Sequence, residues 1–543
     1  MAHPTPPVVR READVDVEAT MRDGTVLRAD LYRPAGAGPW PVLLARTPYG
    51  KQDPGVLARL DPWAATRRGY LVVVQDCRGR FRSDGRWAPL AHESADGHDT
   101  VRWASRLPGA DGRVVLYGPS YLGHTQWAAI ATQPPELCAA APELTWWDPY
   151  DGLLARGGAV ELGLVTHWTL TLGYDVLERR YADRPTERRW ARTELDAAVE
   201  DLVTRTYWEL PAERPPSLRR LGLPLPAPAP APGSPHGLRM PPVLVVAGWF
   251  DCFLQGGLDS YTAARRAGTP AALIVGPWSH TDQSGGVDGP DFLLSRELDW
   301  FDRHLGQDGG QDPPEPPVLV YVLGADHWRR LETWPPESVQ VPWHLHQDGR
   351  LSRDAPERDS PPDLFRHDPE NPVPTHGGAL LMAPGLPPGP LDQAGVEQRE
   401  DVLVYTGEPL TEPLEVMGRI SVHLVADSSA ATTDWVARLC DVDPQGVSRN
   451  ITDGILRARD VDRHVDHGVG VGADRAREHA IDLWSTAYVF RPGHRVRLQI
   501  ASSCFPRWDR TLEASEQRVF HDAARPSRLV LPVVPRRPPA GSP

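Results

Sequence analysis

Ser120 lies in the sequence G-P-S-Y-L-G, residues 118–123, where its type and setting suit nucleophilic chemistry. The apolar run at 114–117 predicts a buried strand before it, and residues 124–132 predict a helix after it. A serine at a sharp turn between strand and helix is typical of a nucleophile elbow, in which the helix N-terminus favours negative charge. The second glycine follows the serine by three residues rather than two, so the motif alone also fits a turn serine without a function.

Two later residues have the types that a serine nucleophile requires, a general base and a group that orients the base. Asp251 comes shortly after the apolar run at 243–247, and His280 shortly after the run at 271–275. Singly, Asp251 also fits a helix cap, and His280 is one of 19 histidines. The order Ser120, Asp251, His280, each near the end of a predicted strand, predicts a catalytic triad and therefore a serine hydrolase.

The elements that must position these residues follow from the hydrophobic pattern. Residues 15–32 alternate around the turn Asp23-Gly24 and predict a hairpin. Short, nearly continuous apolar runs alternate with helical segments, which predicts a mostly parallel sheet with helices on both faces. These runs lie at 41–44, 70–74, 114–117, 243–246 and 271–275.

The pattern also divides the chain into domains. Strand signals stop between about 145 and 240, in a helical, Trp-rich segment that ends in the proline-rich tract 223–233. From about residue 336, short alternating strands predict an antiparallel sandwich. The predicted fold is an α/β-hydrolase domain with an inserted helical cap and a C-terminal antiparallel β-sandwich of jelly-roll type. The predicted boundaries are 1–144 with 241–335 for the catalytic domain, 145–240 for the cap and 336–543 for the sandwich.

The motifs of the chain resemble those of the cocaine-esterase-like hydrolases, the CocE/NonD family, related to X-prolyl dipeptidyl peptidases and α-amino acid ester hydrolases. The likeness runs from about residue 14 to 530 in the same order. The matching segments are R-T-P-Y at 46–49, D-C-R-G-R-F-R-S-D-G at 76–85, the G-P-S-Y-L-G elbow, G-W-F-D at 248–251, G-P-W-S-H at 276–280 and G-A-D-H-W at 324–328.

The resemblance implies a role for each candidate residue. Ser120 would be the nucleophile, His280 the general base and then acid, and Asp251 the group that orients the imidazole. The oxyanion hole would combine the backbone N–H of Tyr121 with the phenol of Tyr49, although a tyrosine beside Pro48 also fits simple core packing.

The resemblance also implies a substrate pocket lined by Trp168 and Phe253, for which internal packing is the plain alternative. α-Amino acid ester hydrolases place acidic residues directly after the triad aspartate, whereas here Cys252, Phe253, Leu254 and Gln255 follow. An apolar or aromatic acyl group is therefore favoured over one with a free ammonium.

Two further side-chain expectations concern residues near the motifs. Cys252 is expected to be a packing residue. Arg78, Arg82 and Asp84 are expected to form a buried ion network beneath the site.

Composition excludes several other classes of protein. The chain has 543 residues, 40% hydrophobic and 24% charged, and a net charge of −14, which disfavours nucleic acid and anionic membranes as partners. Neither a signal peptide nor a membrane span is predicted, and the five cysteines fit a reduced, cytoplasmic protein. No metal or other cofactor is expected. The expected partner is a small ester or amide substrate, and a homodimer is left open.

Three functions compete. The first is a carboxylic ester hydrolase that forms an acyl-enzyme on Ser120. The second uses the same residues as an amidase, X-Pro-type peptidase or acyltransferase acting on a specialised metabolite. The third is a non-catalytic binding module, against which the complete Ser/Asp/His set argues.

Overall fold

The computed structural model describes residues 13–226, 239–282, 292–306, 316–459 and 476–535. The elements up to residue 335 are, in chain order, β1 (Asp14–Thr20), β2 (Val26–Tyr32), β3 (Trp40–Thr47), α1 (Pro54–Leu60), α2 (Pro62–Arg67), β4 (Leu71–Asp76), α3 (Glu93–Ala104), β5 (Ala110–Pro119), α4 (Tyr121–Ile130), β6 (Leu137–Glu143), β7 (Ala155–Arg156), β8 (Ala159–Val160), α5 (Leu162–Arg180), α6 (Pro185–Glu200), a 3-10 helix (Thr206–Trp208), α7 (Pro216–Leu221), β9 (Val243–Phe250), α8 (Leu254–Arg266), β10 (Ala271–Ser279), α9 (Phe292–His304), β11 (Val318–Val322) and β12 (His327–Leu331).

The remaining elements are nearly all strands. They are β13 (Val339–His346), a 3-10 turn (Gln347–Gly349), β14 (Arg350–Ser352), β15 (Asp363–His367), α10 (Ala394–Glu397), β16 (Leu403–Thr406), β17 (Leu414–Ser428), β18 (Thr432–Val442), β19 (Ser448–Arg459), β20 (Arg477–Phe490), β21 (Arg495–Ala501), β22 (Ser515–Val519), β23 (His521–Asp522), β24 (Arg525–Pro526) and β25 (Arg528–Val533).

Within the described ranges, ten strands form the first sheet, in the order β1-β2-β4-β3-β5-β6-β9-β10-β11-β12. Neighbours from β4 to β11 are parallel, whereas β1, β2 and β12 pair antiparallel at the two ends. The carboxyl ends of the parallel strands therefore meet at one edge of the sheet. The segments that follow β3, β5, β9 and β10 begin at this edge, and they carry the candidate catalytic residues.

The central strands are buried on both faces, which explains their continuous apolar runs. In β3, Val42 and Leu44 pack into one core, and Leu43 and Ala45 pack into the core on the opposite face. Helices α3, α4 and α8 contribute to the first core, and α1, α2 and α9 to the second. The predicted α/β architecture is confirmed.

The segment between β6 and β9 contains α5, α6 and α7, which pack on one another. Their shared core includes Leu170, Leu195, Tyr207 and Leu218, together with Phe505 from the C-terminal region. The predicted boundaries of the cap and of the other domains stay predictions, and residues 227–233 of the proline-rich tract lie outside the described residues.

The second sheet contains eleven strands among the residues that the structure describes, in the order β15-β22-β17-β25-β13-β14-β16-β21-β18-β19, with β20 paired to β17. Its pairs are antiparallel except for β14 and β16, which meet in parallel at Arg350 and Thr406. The predicted strand-rich C-terminal region is thus present, and its jelly-roll topology remains a prediction. In the described part of the chain, no helix has the length and apolar character needed to cross a membrane.

Candidate active site

Ser120 occupies the turn between β5 and α4 with φ 61° and ψ −126°, a backbone conformation that non-glycine residues rarely adopt. Glycines allow this turn to form. At Gly118, φ is 115° and a Cβ atom would lie 2.8 Å from a methyl group of Leu122. At Gly123, inside α4, a Cβ atom would lie 2.7 Å from the side chain of Thr145. The glycine three residues after the serine therefore lets α4 pack closely against the segment that follows β6.

Asp251 and His280 follow adjacent parallel strands whose last residues, Phe250 and Ser279, are paired in register. This pairing places the two side chains next to each other. His280 Nδ1 lies 2.6 Å from Asp251 Oδ2, and His280 Nε2 lies 3.0 Å from Ser120 Oγ. The structure thus joins the three residues predicted for the triad in one chain of hydrogen bonds.

Burial and a second hydrogen bond hold the aspartate in place. Asp251 is 0% exposed and its Oδ1 accepts the backbone N–H of Phe253 at 2.7 Å. The side chain of His280 is 9% exposed. A neutral imidazole that donates Nδ1–H to Asp251 presents the Nε2 lone pair to the Ser120 hydroxyl, which is the arrangement for removing a proton from the nucleophile.

Tyr49, two residues after the end of β3, approaches the same hydroxyl. Its phenol oxygen lies 3.4 Å from Ser120 Oγ, and the indole N–H of Trp168 donates to that phenol oxygen at 3.3 Å. Burial raises the pKa of Tyr49, so the phenol keeps its proton. Because an indole only donates, Trp168 uses an acceptor position of the phenol and leaves the phenol proton available to the site.

Tyr121 is the first residue of α4, where a backbone N–H has no acceptor within the helix. Its side chain is buried, accepts the N–H of Leu90 at 2.8 Å and donates to Glu93 at 2.9 Å. Burial, with Glu93 as a second cause, raises the pKa of the Tyr121 phenol well above its usual range. Glu93 is in turn paired with buried Arg46 at 2.7 Å. Sequence reasoning missed Glu93, since only the fold brings α3 beneath the elbow.

The two residues predicted to line the pocket both contact rings at the site. Trp168 stacks on Tyr121 with ring centroids 5.9 Å apart. Phe253 is 2% exposed and places its ring edge-to-face against His280, 5.2 Å between centroids, and against Trp146, 5.0 Å. Contact of either residue with substrate stays a prediction.

The prediction of a buried ion network is wrong for Arg82 and Asp84 and holds for Arg78. Arg78 is buried and pairs with Asp96 at 2.6 Å and with Asp23 at 2.7 Å. Arg82 is exposed, and the side chain of Asp84 is 58% exposed. The turn at 79–85 is closed by a backbone hydrogen bond, in which Gly79 N–H donates to the Asp84 carbonyl at 2.8 Å. The side chains of Arg82 and Asp84 lie at the surface.

Cys252 is buried as expected, with Sγ 3.9 Å from His280 Nδ1. Burial, with Asp251 as the second cause, raises the pKa of this thiol well above its usual range, so the thiol is protonated. Sequence reasoning placed Cys252 next to the triad aspartate but did not predict this contact between its thiol and the imidazole.

A serine elbow at the carboxyl edge of a mostly parallel sheet, with a histidine and a buried aspartate in hydrogen-bonding sequence, defines a serine hydrolase of the α/β-hydrolase class. Family models for X-Pro dipeptidyl-peptidase (S15 family) and for the X-Pro dipeptidyl-peptidase C-terminal non-catalytic domain match residues 23–282 and 313–530. Cocaine esterase from Rhodococcus sp. (strain MB1 Bresler) is 34% identical over 96% of this chain and 98% of its own. The chain therefore belongs to the cocaine-esterase-like family of serine hydrolases. The resemblance predicted from the sequence motifs is confirmed.

Solved structures agree on the fold. An aminopeptidase from a marine sediment Thaumarchaeota archaeon has a TM-score of 0.74 and 24% identity, over 98% of each chain. An α-amino acid ester hydrolase has a TM-score of 0.68 and 24% identity, over 98% of this chain and 100% of its own.

Proposed function

We propose that the protein hydrolyses carboxylic esters with apolar or aromatic acyl groups, through an acyl-enzyme on Ser120. The observation that carries the proposal is the continuous hydrogen-bonded chain Asp251–His280–Ser120, with the Tyr49 phenol beside the serine hydroxyl. In this arrangement His280 is the general base and Asp251 is the carboxylate that orients it. Tyr49 adds a hydrogen-bond donor close to the same serine oxygen.

In the first half of the reaction, His280 Nε2 takes the proton of Ser120 as Oγ attacks the ester carbonyl carbon. The carbonyl oxygen becomes an oxyanion, which accepts hydrogen bonds from the Tyr49 phenol and the Tyr121 backbone N–H. His280 then gives its proton to the departing alcohol as the C–O bond breaks. In the second half, His280 takes a proton from water as the water attacks the acyl-enzyme, and the acid is released from Ser120.

The acyl preference is inferred from what surrounds the triad. Trp146, Trp168 and Phe253 belong to one apolar cluster around the site. The residues 252–255 after the aspartate are all buried and carry no carboxylate that would pair with a substrate ammonium. The name of the cocaine esterase relative also favours an ester, whereas the matching peptidase family keeps X-Pro amide cleavage as the alternative.

A fluorophosphonate probe tests the nucleophile. We expect one label per chain on Ser120, no label in the Ser120→Ala variant, and full labelling of the control Ser295→Ala, which removes an exposed hydroxyl of α9. Labelling of folded Ser120→Ala protein, or none of the wild type, would refute the assignment.

A substrate panel tests the reaction. We expect kcat/KM for p-nitrophenyl benzoate and butyrate to exceed that for alanyl-prolyl-p-nitroanilide by about 100-fold or more, since an ammonium has no carboxylate partner after Asp251. A preference for the prolyl anilide, abolished in Ser120→Ala, would instead assign an X-Pro peptidase. Unchanged turnover in Ser120→Ala would contradict both.

A further inference from the structure

Three metal-binding atoms converge on the edge of His280 that faces away from Ser120. Asp251 and Cys252 follow directly after β9, and their side chains both approach Nδ1 of His280. Nδ1 lies 2.6 Å from the Asp251 carboxylate and 3.9 Å from the Cys252 sulfur. The carboxylate oxygen, sulfur and nitrogen all lie within 4.8 Å of one another.

This set of donors matches the preference of one class of ion. Zn²⁺ binds thiolate, imidazole and carboxylate at about 2.0–2.3 Å, which in a tetrahedral site separates the ligand atoms by about 3.3–3.8 Å. The present sulfur-to-nitrogen distance of 3.9 Å is close to that spacing, and the nitrogen-to-oxygen distance of 2.6 Å must open by less than about 1 Å. Cd²⁺, a softer ion, favours the thiolate still more.

We propose that Asp251, Cys252 and His280 form a binding site for Zn²⁺ or Cd²⁺, and that the bound ion inhibits the enzyme. The ion bonds to Cys252 Sγ, to the Asp251 carboxylate and to His280 Nδ1. The thiol proton leaves to solvent, and the imidazole proton moves from Nδ1 to Nε2. The charges of the carboxylate and the new thiolate balance the divalent ion in a buried position.

Inhibition follows from the proton on Nε2, and this part rests on the proposed function. With Nε2 protonated, His280 has no lone pair to accept the proton of Ser120. Asp251 is 0% and Cys252 5% exposed, so the ion must pass through surrounding side chains and inhibition should develop slowly. The binding itself does not depend on catalysis.

Binding is tested first in full-length Ser120→Ala protein, where catalysis plays no part. Titration with CdCl₂ to constant absorbance should produce an ultraviolet thiolate-to-cadmium charge-transfer band with one ion per chain. The band should disappear when Cys252→Ser is added. It should remain with the control Cys138→Ser, since Cys138 is the half-buried cysteine elsewhere in the fold. No band, or a band that survives Cys252→Ser, overturns the site.

Inhibition is tested with ZnCl₂ on the active protein. Loss of a residue that hydrogen-bonds a metal ligand weakens metal binding about 10- to 100-fold. Cys252 is itself a proposed ligand, so Cys252→Ser should raise the inhibitory zinc concentration by at least about tenfold. EDTA should restore wild-type activity. Equal zinc sensitivity of the variant refutes the inhibitory role. Absence of ester hydrolysis in the untreated wild type refutes the proposed function but leaves the cadmium titration decisive for the site.

Discussion

Tyr49→Phe removes one hydroxyl next to the nucleophile and retains the ring. The phenol lies 3.4 Å from Ser120 Oγ, and in a tetrahedral intermediate the oxyanion is bonded to the carbon that Oγ attacks, two bonds from Oγ. Loss of one oxyanion donor costs about 10²- to 10³-fold in kcat, or roughly 2.7–4 kcal/mol. We expect a loss of this size in kcat with KM little changed, because the hydrogen bond strengthens as the oxyanion forms.

Trp168 extends the test, because its indole N–H donates to the same phenol at 3.3 Å. Trp168→Phe keeps an aromatic ring against Tyr121 and removes one hydrogen bond, which is typically worth about 0.5–1.5 kcal/mol. If Trp168 contributes by holding the phenol, its effect on kcat should largely vanish in the Tyr49→Phe background. If it contacts substrate instead, the two effects should add.

The assay is steady-state hydrolysis of p-nitrophenyl benzoate by both single variants and the double variant. Tyr117→Phe is the matched control, since that buried hydroxyl bonds the Leu60 carbonyl away from Ser120. We expect its kcat to stay near wild type. A Tyr49→Phe enzyme with wild-type kcat, folded and fully labelled by fluorophosphonate, would remove Tyr49 from the oxyanion hole.

Two further predictions concern stability. Gly123→Ala should lower the free energy of unfolding by about 1–3 kcal/mol in urea denaturation, because the new methyl group would lie 2.7 Å from Thr145. Gly395→Ala, in open space on α10, should change little, and equal losses in both would contradict the packing argument. Burial raises the pKa of Glu161 from an ordinary 4.5 to about 7, so the folded state holds this proton more tightly than the unfolded state. Stability should therefore fall as pH rises from about 4.5 to about 7, by up to about 3 kcal/mol. Glu161→Gln preserves an acceptor for the Trp508 indole and should flatten this decline. If the stability of the variant falls with pH as steeply as that of the wild type, Glu161 is not the cause.

Local patterns were enough to predict much of the fold. Residues 41–44 predict a buried strand because successive side chains of β3 pack into two apolar cores, one on each face of the sheet. The strand, serine and helix around Ser120 were predictable for the same reason, since each depends on residues adjacent in the chain. Arg82 and Asp84 were misjudged because their exposure depends on how the turn at 79–85 lies on the sheet.

The sequence by itself determined the order of strands and helices, the position of the elbow and the family, because periodicity, turn residues and motifs are properties of neighbouring residues. Only the tertiary structure decided that Glu93 bonds Tyr121 beneath the elbow and that the Cys252 thiol lies beside the His280 imidazole. Those contacts join segments far apart in the chain, and they arise from the register of β9 with β10 and the packing of α3 and α4, which no local pattern encodes.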